Sequence, residues 1–86
     1  MAADSISIQV KLFAIFQEVL GTDQLEQQVS IGTSAGQVLS QIIDQYPALA
    51  PWQTVTRLGV NLQFVPPDTV LATGDEVVLI PPVSGG

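Results

Sequence analysis

The residues that could take part in chemistry lie at the C-terminal end, where residues 79–86 have the sequence LIPPVSGG. The proline pair fixes two φ angles and removes two backbone donors, so it ends a strand and begins a stiff, extended segment. Gly85 and Gly86 have no Cβ, so this backbone could enter a narrow channel and a large group could approach the terminal carboxylate. These residues predict that the carboxylate of Gly86 is the reactive group and that it acts inside another protein; the alternative is an unstructured end.

The remaining sequence lacks the usual side chains of a catalytic site. There is no Cys and no His, which excludes disulfides, thiolate chemistry, a Ser-His-Asp arrangement and the commonest metal ligand. The eight carboxylates are scattered without metal-binding spacing, and Asp75-Glu76 after Gly74 favours a turn over an acid–base pair. We therefore expect no metal, no bound cofactor and no catalytic side chain in this chain. Whether it counts as an enzyme then depends on its partners.

Charge and composition indicate which partners are excluded. The net charge is −6, and Lys11 and Arg57 are the two basic side chains, so no basic patch can form for nucleic acid or an anionic membrane. Charged residues make up 12% of the chain, about half the usual quarter, which predicts apolar surface left for a protein partner. The start lacks a signal-peptide pattern, and no apolar run approaches the ~18 residues of a membrane span, so we expect a cytoplasmic protein.

Hydrophobic periodicity predicts the elements that position the tail. Residues 6–13 alternate as a half-buried strand, residues 14–20 favour a short helix ended by Gly21, and residues 24–31 alternate again. The long helix spans residues 34–46: it begins with a Ser34/Gln37 capping box, has one apolar stripe, and ends before a proline. The apolar stripe consists of Val38, Leu39, Ile42, Ile43 and Tyr46. A loop follows, in which Trp52 is predicted to seal the edge of the core. Residues 57–65 are predicted to form a hairpin that bends near Gly59 and Asn61.

Residues 76–80 form the final predicted strand, which is apolar on both faces and therefore suits the centre of a sheet. The order of elements, two strands, a helix, a strand pair and a last strand, predicts an α+β fold of the β-grasp type, a mixed sheet with one main helix on one face. Right-handed crossover places the first and last strands side by side and parallel. Residues 1–86 form one predicted domain, with residues 81–86 as an extended, reactive tail.

One helix can cover only one face of this sheet. Val77 and Leu79 should then lie under the helix, while Val78 and Ile80 lie on the other face with Phe13 close by. We predict that Phe13, Val78 and Ile80 form a docking face for a partner. The alternative is a loop over this face, and the prediction is wrong if Phe13 and Ile80 are buried under the helix.

Three motifs suggest a family. VKLFAIFQEVLG at residues 10–21, GDEV at 74–77 and PPVSGG at 81–86 resemble the small subunits of molybdopterin synthase, the MoaD-type branch of the ubiquitin-like sulfur carriers. The resemblance covers residues 6–86. Relatives often have Arg-Glu where this chain has Gln17-Glu18, which puts one surface contact in doubt.

The resemblance implies a β-grasp fold and a mechanism. A ubiquitin-activating-like adenylyltransferase uses ATP to adenylate Gly86, and sulfur from a donor protein replaces AMP to give a thiocarboxylate. The tail then enters the large synthase subunit, in a heterotetramer of two small and two large subunits, and gives sulfur to cyclic pyranopterin monophosphate to build the molybdopterin dithiolene. The residues implied to line the partner's channel are Gly85, Ser84, Val83, Pro82 and Pro81.

Two other functions remain open at this point. The same tail chemistry serves sulfur carriers for thiamine thiazole and for tRNA thiolation, although the Pro-Pro-Val-Ser spacer argues against them. A ubiquitin-like modifier would instead join its terminus to lysines of other proteins through isopeptide bonds.

Overall fold

The computed structural model describes residues 4–82 and contains a five-stranded mixed sheet with a main helix on one face. The elements along the chain are β1 (Ser5–Leu12), α1 (Ile15–Leu20), β2 (Gln24–Ser30), α2 (Ala35–Gln45), a 3₁₀ helix (Pro47–Trp52), β3 (Arg57–Val60), β4 (Gln63–Phe64) and β5 (Glu76–Ile80). This is the predicted β-grasp architecture. Within residues 4–82, no helix is both long enough and apolar enough to cross a membrane.

The sheet has the strand order β2-β1-β5-β3-β4, which makes the last strand the central one. β5 pairs parallel with β1, with Val10 beside Val77, and antiparallel with β3 on its other side. The predicted parallel pairing of the first and last strands is therefore confirmed. Because β5 has neighbours on both sides, the segment that follows it leaves from the middle of the sheet.

Strand alternation separates a buried face from an open one. Ile8, Val10 and Leu12 of β1 and Val77 and Leu79 of β5 are buried in one core. The apolar stripe of α2 covers them with Val38, Leu39, Ile42 and Ile43. Tyr46 was predicted to belong to this stripe, but it is the C-cap residue and is 36% exposed.

The N-terminus of α2 is fixed by its own cap and by a loop. Ser34 Oγ accepts a hydrogen bond from the Gln37 amide at 3.2 Å, and Gln37 Oε1 accepts one from the Ser34 amide at 2.9 Å, which confirms the capping box. The Gly36 amide donates to the Pro67 carbonyl at 2.8 Å. A Cβ at Gly36 would lie 2.8 Å from the Pro67 Cβ, so only glycine permits this close approach.

Three local predictions need correction. Residues 47–52 form a 3₁₀ helix rather than a loop, although Trp52 does pack at the edge of the core as predicted. The strand predicted over residues 24–31 ends at Ser30, so Ile31 lies beyond β2 and is 64% exposed. Gly59 lies inside β3, and the hairpin bends at Asn61 and Leu62 instead, because both residues have the positive φ that a two-residue hairpin loop requires.

Candidate functional site

The tail leaves the domain at the end of β5. Ile80 is the last residue of that strand; Pro81 is still buried in the domain, and Pro82 is the first exposed residue after it. The sequence analysis placed Pro81 in the extended tail, whereas in the structure this residue is buried. The other predicted tail residues, Val83, Ser84, Gly85 and the reactive Gly86, lie outside the described residues.

The three predicted docking residues lie together on the face of the sheet opposite α2. Phe13, Val78 and Ile80 line one groove of about 360 Å³. Phe13 is 47% exposed and the other two are half-buried, so within residues 4–82 no loop covers this face. The neighbours Val77 and Leu79 are fully buried, as strict strand alternation requires.

Two further apolar residues of the groove were missed by the sequence analysis. Leu62 is 91% exposed and Phe64 is 67% exposed, and both come from the β3–β4 hairpin. Phe64 pairs with Gly59, whose missing side chain leaves the floor of the groove open. The period-2 pattern of the hairpin could have placed Phe64 on this face, but only the position of the bend fixes its register.

Both basic side chains of the protein belong to this face. Lys11 Nζ lies 3.6 Å from Glu76 Oε2, and both residues line the groove. The Arg57 guanidinium carbon lies 5.7 Å from the centre of the Phe64 ring, within the range of a cation–π contact. The groove therefore has an apolar floor, the Lys11–Glu76 ion pair among its lining residues, and Arg57 next to it through the contact with Phe64.

Backbone strain also borders the groove. Within residues 4–82, the non-glycine residues with positive φ are Ala14, Asn61 and Leu62. Ala14 directly follows Phe13, and Leu62 itself lines the groove. Asn tolerates this conformation, whereas it is unfavourable at Ala14 and Leu62, where the Cβ crowds the backbone.

A larger cleft elsewhere on the domain has no comparable chemistry. It has a volume of about 560 Å³ and lies between α2 and the residues around β3 and Pro67. Its lining is formed by hydroxyl, amide and small apolar side chains with Asp68 as the ionisable group. Within the described part of the chain, no three acidic residues come close enough to hold a metal ion. Asp75 accepts a hydrogen bond from the Ala72 amide at 2.8 Å, so its side chain serves the turn, as predicted.

Comparisons with known proteins identify relatives over nearly the whole chain. The ThiS family model matches residues 10–86. The molybdopterin synthase sulfur carrier subunit of Chlamydomonas reinhardtii is 35% identical over 83 residues, which cover 94% of this chain and 100% of that protein. Its counterpart from Mycobacterium tuberculosis is also 35% identical, over 82 residues, with 94% of this chain and 99% of that protein covered.

Solved structures have the same fold. The Haloferax volcanii HVO 2177 protein superposes with a TM-score of 0.87 at 26% identity, over 100% of this chain and 92% of that one. SAMP1 from the same organism gives 0.76 at 30% identity, covering 93% and 99% of the two chains. A complex of subunits 1 and 2 of the molybdopterin-converting factor from Helicobacter pylori contains a chain with a TM-score of 0.65 at 21% identity, covering 94% and 100%. The chain therefore belongs to the ThiS family, and within it to the group of the molybdopterin synthase sulfur carrier subunits.

Proposed function

We propose that this protein carries sulfur on the carboxyl group of Gly86 and delivers it to a pterin precursor in the large subunit of a molybdopterin synthase. The observation that supports this most directly is the place where β5 ends. The central strand β5 ends beside an uncovered apolar groove, and the sequence PPVSGG follows at this point. A partner seated on the groove would be placed to receive the tail.

The proposed chemistry begins with activation of a poor electrophile. A carboxylate oxygen of Gly86 attacks the α-phosphorus of ATP in an adenylyltransferase, pyrophosphate leaves, and an acyl-adenylate forms. Hydrosulfide released by a donor protein attacks the carbonyl carbon, and AMP leaves with the carboxyl oxygen. The product is a thiocarboxylate. This chain contains neither Cys nor His, so the catalytic groups of these steps, apart from the Gly86 carboxyl group itself, are assigned to the partners.

The second half of the cycle transfers the sulfur. The thiocarboxylate sulfur forms a bond to a carbon of the cyclic pyranopterin precursor as an oxygen substituent leaves that carbon, and water then attacks the thioester carbonyl. Sulfur stays on the pterin, and the carboxylate of Gly86 is regenerated. Two such transfers supply the two sulfurs of a dithiolene. Gly85 and Ser84 beside the reacting group give the tail the small cross-section that a narrow active-site channel needs.

The partner that receives the tail is proposed to contact Phe13, Val78 and Ile80. The chain from Helicobacter pylori with the same fold was solved as a complex of subunits 1 and 2 of a molybdopterin-converting factor, which is consistent with a larger subunit as the partner here. Burial of the groove would remove apolar surface from water, and Lys11 and Arg57 at the rim would favour acidic groups around the contact. A heterotetramer of two small and two large subunits is the expected assembly.

The test of this function is an intact-mass measurement. The protein is incubated with ATP, the adenylyltransferase and a sulfur donor, beside a variant that lacks Gly86 and a Ser84→Ala variant that keeps the terminal glycine. We expect a species heavier by one oxygen-to-sulfur exchange in the full-length protein and in Ser84→Ala but not in the shortened chain. The loaded protein should then convert the pterin precursor when the large subunit is added. A mass that stays that of the plain carboxylate under conditions that load a known carrier would reject the proposal.

A second function is supported by one specific similarity. SAMP1, which superposes with a TM-score of 0.76, is named a small archaeal modifier protein. A modifier role for this chain would give species joined through Gly86 to lysines of other proteins. Peptide mapping of such species from the cells that make this protein distinguishes the two functions, because a sulfur carrier leaves its terminus free after each cycle.

A further inference from the structure

The β3–β4 turn presents an apolar side chain at an energetic cost to the backbone. Asn61 and Leu62 are the two central residues of the turn, with φ values of 51° and 72°. Positive φ at both positions is typical of a type I′ turn, which favours Asn followed by Gly. Asn61 suits its position, whereas a leucine at the second position is unfavourable because its Cβ crowds the backbone. Something other than turn geometry must therefore explain Leu62.

Hydrogen bonds hold the turn in this conformation. Asn61 Nδ2 donates to Asp75 Oδ1 at 2.9 Å, and Asn61 Oδ1 accepts a bond from the Glu76 amide at 3.0 Å. The Asn61 amide in turn donates to the Glu76 carbonyl at 2.9 Å. Three bonds thus fix the turn to the beginning of β5, the strand whose other end continues into the tail.

Packing inside the chain does not explain Leu62 either. Its side chain is 91% exposed, more than Val70 and Ile31, which are 63% and 64% exposed. The residue nevertheless lines the same groove as Phe13, Val78 and Ile80. Leu62 has an unfavourable backbone conformation, and its side chain is almost fully exposed in the isolated chain. Both features are explained if a partner protein covers this side chain in a complex.

We propose that Leu62 is an anchor that enters an apolar pocket of the protein that accepts the tail, and that it sets affinity without acting in sulfur transfer. This inference rests on the proposed function. Leu62 lies at the end of the groove away from the tail, because Val60 pairs with Val77 whereas Arg57 pairs with Ile80. The beginning and end of β5 are separated by four residue steps, or ~13 Å.

The charge of the chain favours a different protein over a second copy as the occupant. Two chains of net charge −6 repel each other, which opposes face-to-face self-association. Lys11 lines the groove beside its partner Glu76, and Arg57 lies over Phe64, a lining residue, so an apolar pocket with an acidic side chain near Arg57 would complement this surface. The chain adds continuity, since Ile80 lines the groove and Pro82 is exposed two residues later, so a partner that contacts the groove lies beside the start of the tail.

The experiment compares two substitutions that relieve strain with one matched control. Leu62→Gly produces the Asn-Gly pair preferred by this turn, and Leu62→Asn introduces a side chain that tolerates positive φ. Ile31→Asn makes the same apolar-to-amide change at an exposed residue beyond β2, on the opposite edge of the sheet. Each variant is loaded as the thiocarboxylate and titrated against the large subunit by calorimetry, and its urea midpoint is measured.

We expect both Leu62 variants to unfold at an equal or higher urea concentration than the unchanged protein and to bind the large subunit about tenfold or more weakly. In pterin turnover, KM for the loaded carrier should rise by a similar factor while kcat stays within about twofold, because the anchor is remote from the reacting atoms. Ile31→Asn should keep the original affinity and KM.

Three results would overturn the inference: unchanged affinity in both Leu62 variants, a loss of kcat at unchanged KM, or an equal loss of affinity in Ile31→Asn. A higher-order assembly of the unchanged protein alone that both Leu62 variants abolish would assign the surface to a second copy and would also overturn it. Failure of the function itself looks different, because the unchanged, loaded protein would then transfer no sulfur to the pterin with the large subunit present.

Discussion

The two faces of the sheet use the same strands for different purposes. The face under α2 is closed, with Val77 and Leu79 fully buried, and the neighbouring loop comes so close that Gly36 has no room for a Cβ. The other face leaves Val78 and Ile80 half-buried beneath an open groove. Because successive side chains of a strand point to opposite faces, β5 can stabilise the fold with one set of residues and remain available for recognition with the other.

The sharpest test of this difference uses two neighbours in β5. Leu79→Glu would bury an unpaired carboxylate in the core and should cost at least ~4 kcal/mol, much of the stability expected for a domain of this size. Ile80→Glu should leave the domain folded but greatly weaken binding of the large subunit. Circular dichroism in urea and calorimetry measure the two effects. An Ile80→Glu protein that fails to fold would remove the distinction between the faces.

A second comparison uses two glycines. Gly36→Ala would place a Cβ 2.8 Å from the Pro67 Cβ and 2.9 Å from the Pro67 carbonyl oxygen, so we expect a loss of about 2 kcal/mol in the free energy of unfolding. At Gly59, on the open face, a Cβ would lie 3.5 Å from the Gln63 carbonyl oxygen and 3.6 Å from the Val78 Cβ. Gly59→Ala should therefore stay within about 0.5 kcal/mol of the unchanged protein. Urea unfolding of both variants decides this, and equal losses would contradict it.

The closed face also depends on the helix cap. Ser34→Ala removes the oxygen that accepts a hydrogen bond from the Gln37 amide, and we expect a loss of about 1 kcal/mol in the free energy of unfolding. Ser40→Ala is the control: Ser40 Oγ accepts a bond from Gln53 Nε2 at 2.9 Å on the exposed side of the same helix, and this loss should be smaller. Thermal unfolding measures the difference. A lower melting temperature for Ser40→Ala than for Ser34→Ala would show that the cap is not the stronger of the two contributions.

The smallest expected effect on stability belongs to the rim of the groove. Lys11 and Glu76 form an ion pair at 3.6 Å with 40% and 34% of their side chains exposed, so Lys11→Gln should change the free energy of unfolding by less than about 0.5 kcal/mol. The same substitution should reduce the salt dependence of binding to the large subunit, because it removes one of the two basic side chains of this face. A stability loss comparable to that of Ser34→Ala would place Lys11 among the residues that hold the fold.

Local sequence patterns predicted most of the fold and part of the site. Alternation in residues 6–13 and 76–80 identified the two central strands and separated Ile80 from Leu79, and Phe13, Val78 and Ile80 lie together on one open face, as expected of the predicted docking residues. Leu62 and Phe64 were missed because their positions depend on where the hairpin bends. The bend itself depends on bonds from Asn61 to Asp75 and Glu76, which are distant along the chain.

The sequence by itself determined the period of each element, the capping box of the long helix, the absence of Cys and His, and the Gly-Gly motif that assigns the proposed chemistry to the tail. Those properties follow from side-chain identity and from spacings of two to four residues. Only the tertiary structure decided that Pro81 is buried and that Lys11 and Arg57 lie on the same face of the sheet. It also decided that Leu62 lies at the centre of the β3–β4 turn with its side chain exposed. Each of these depends on strands that meet across the sheet, and pairing between distant segments is fixed by packing and register of the whole domain.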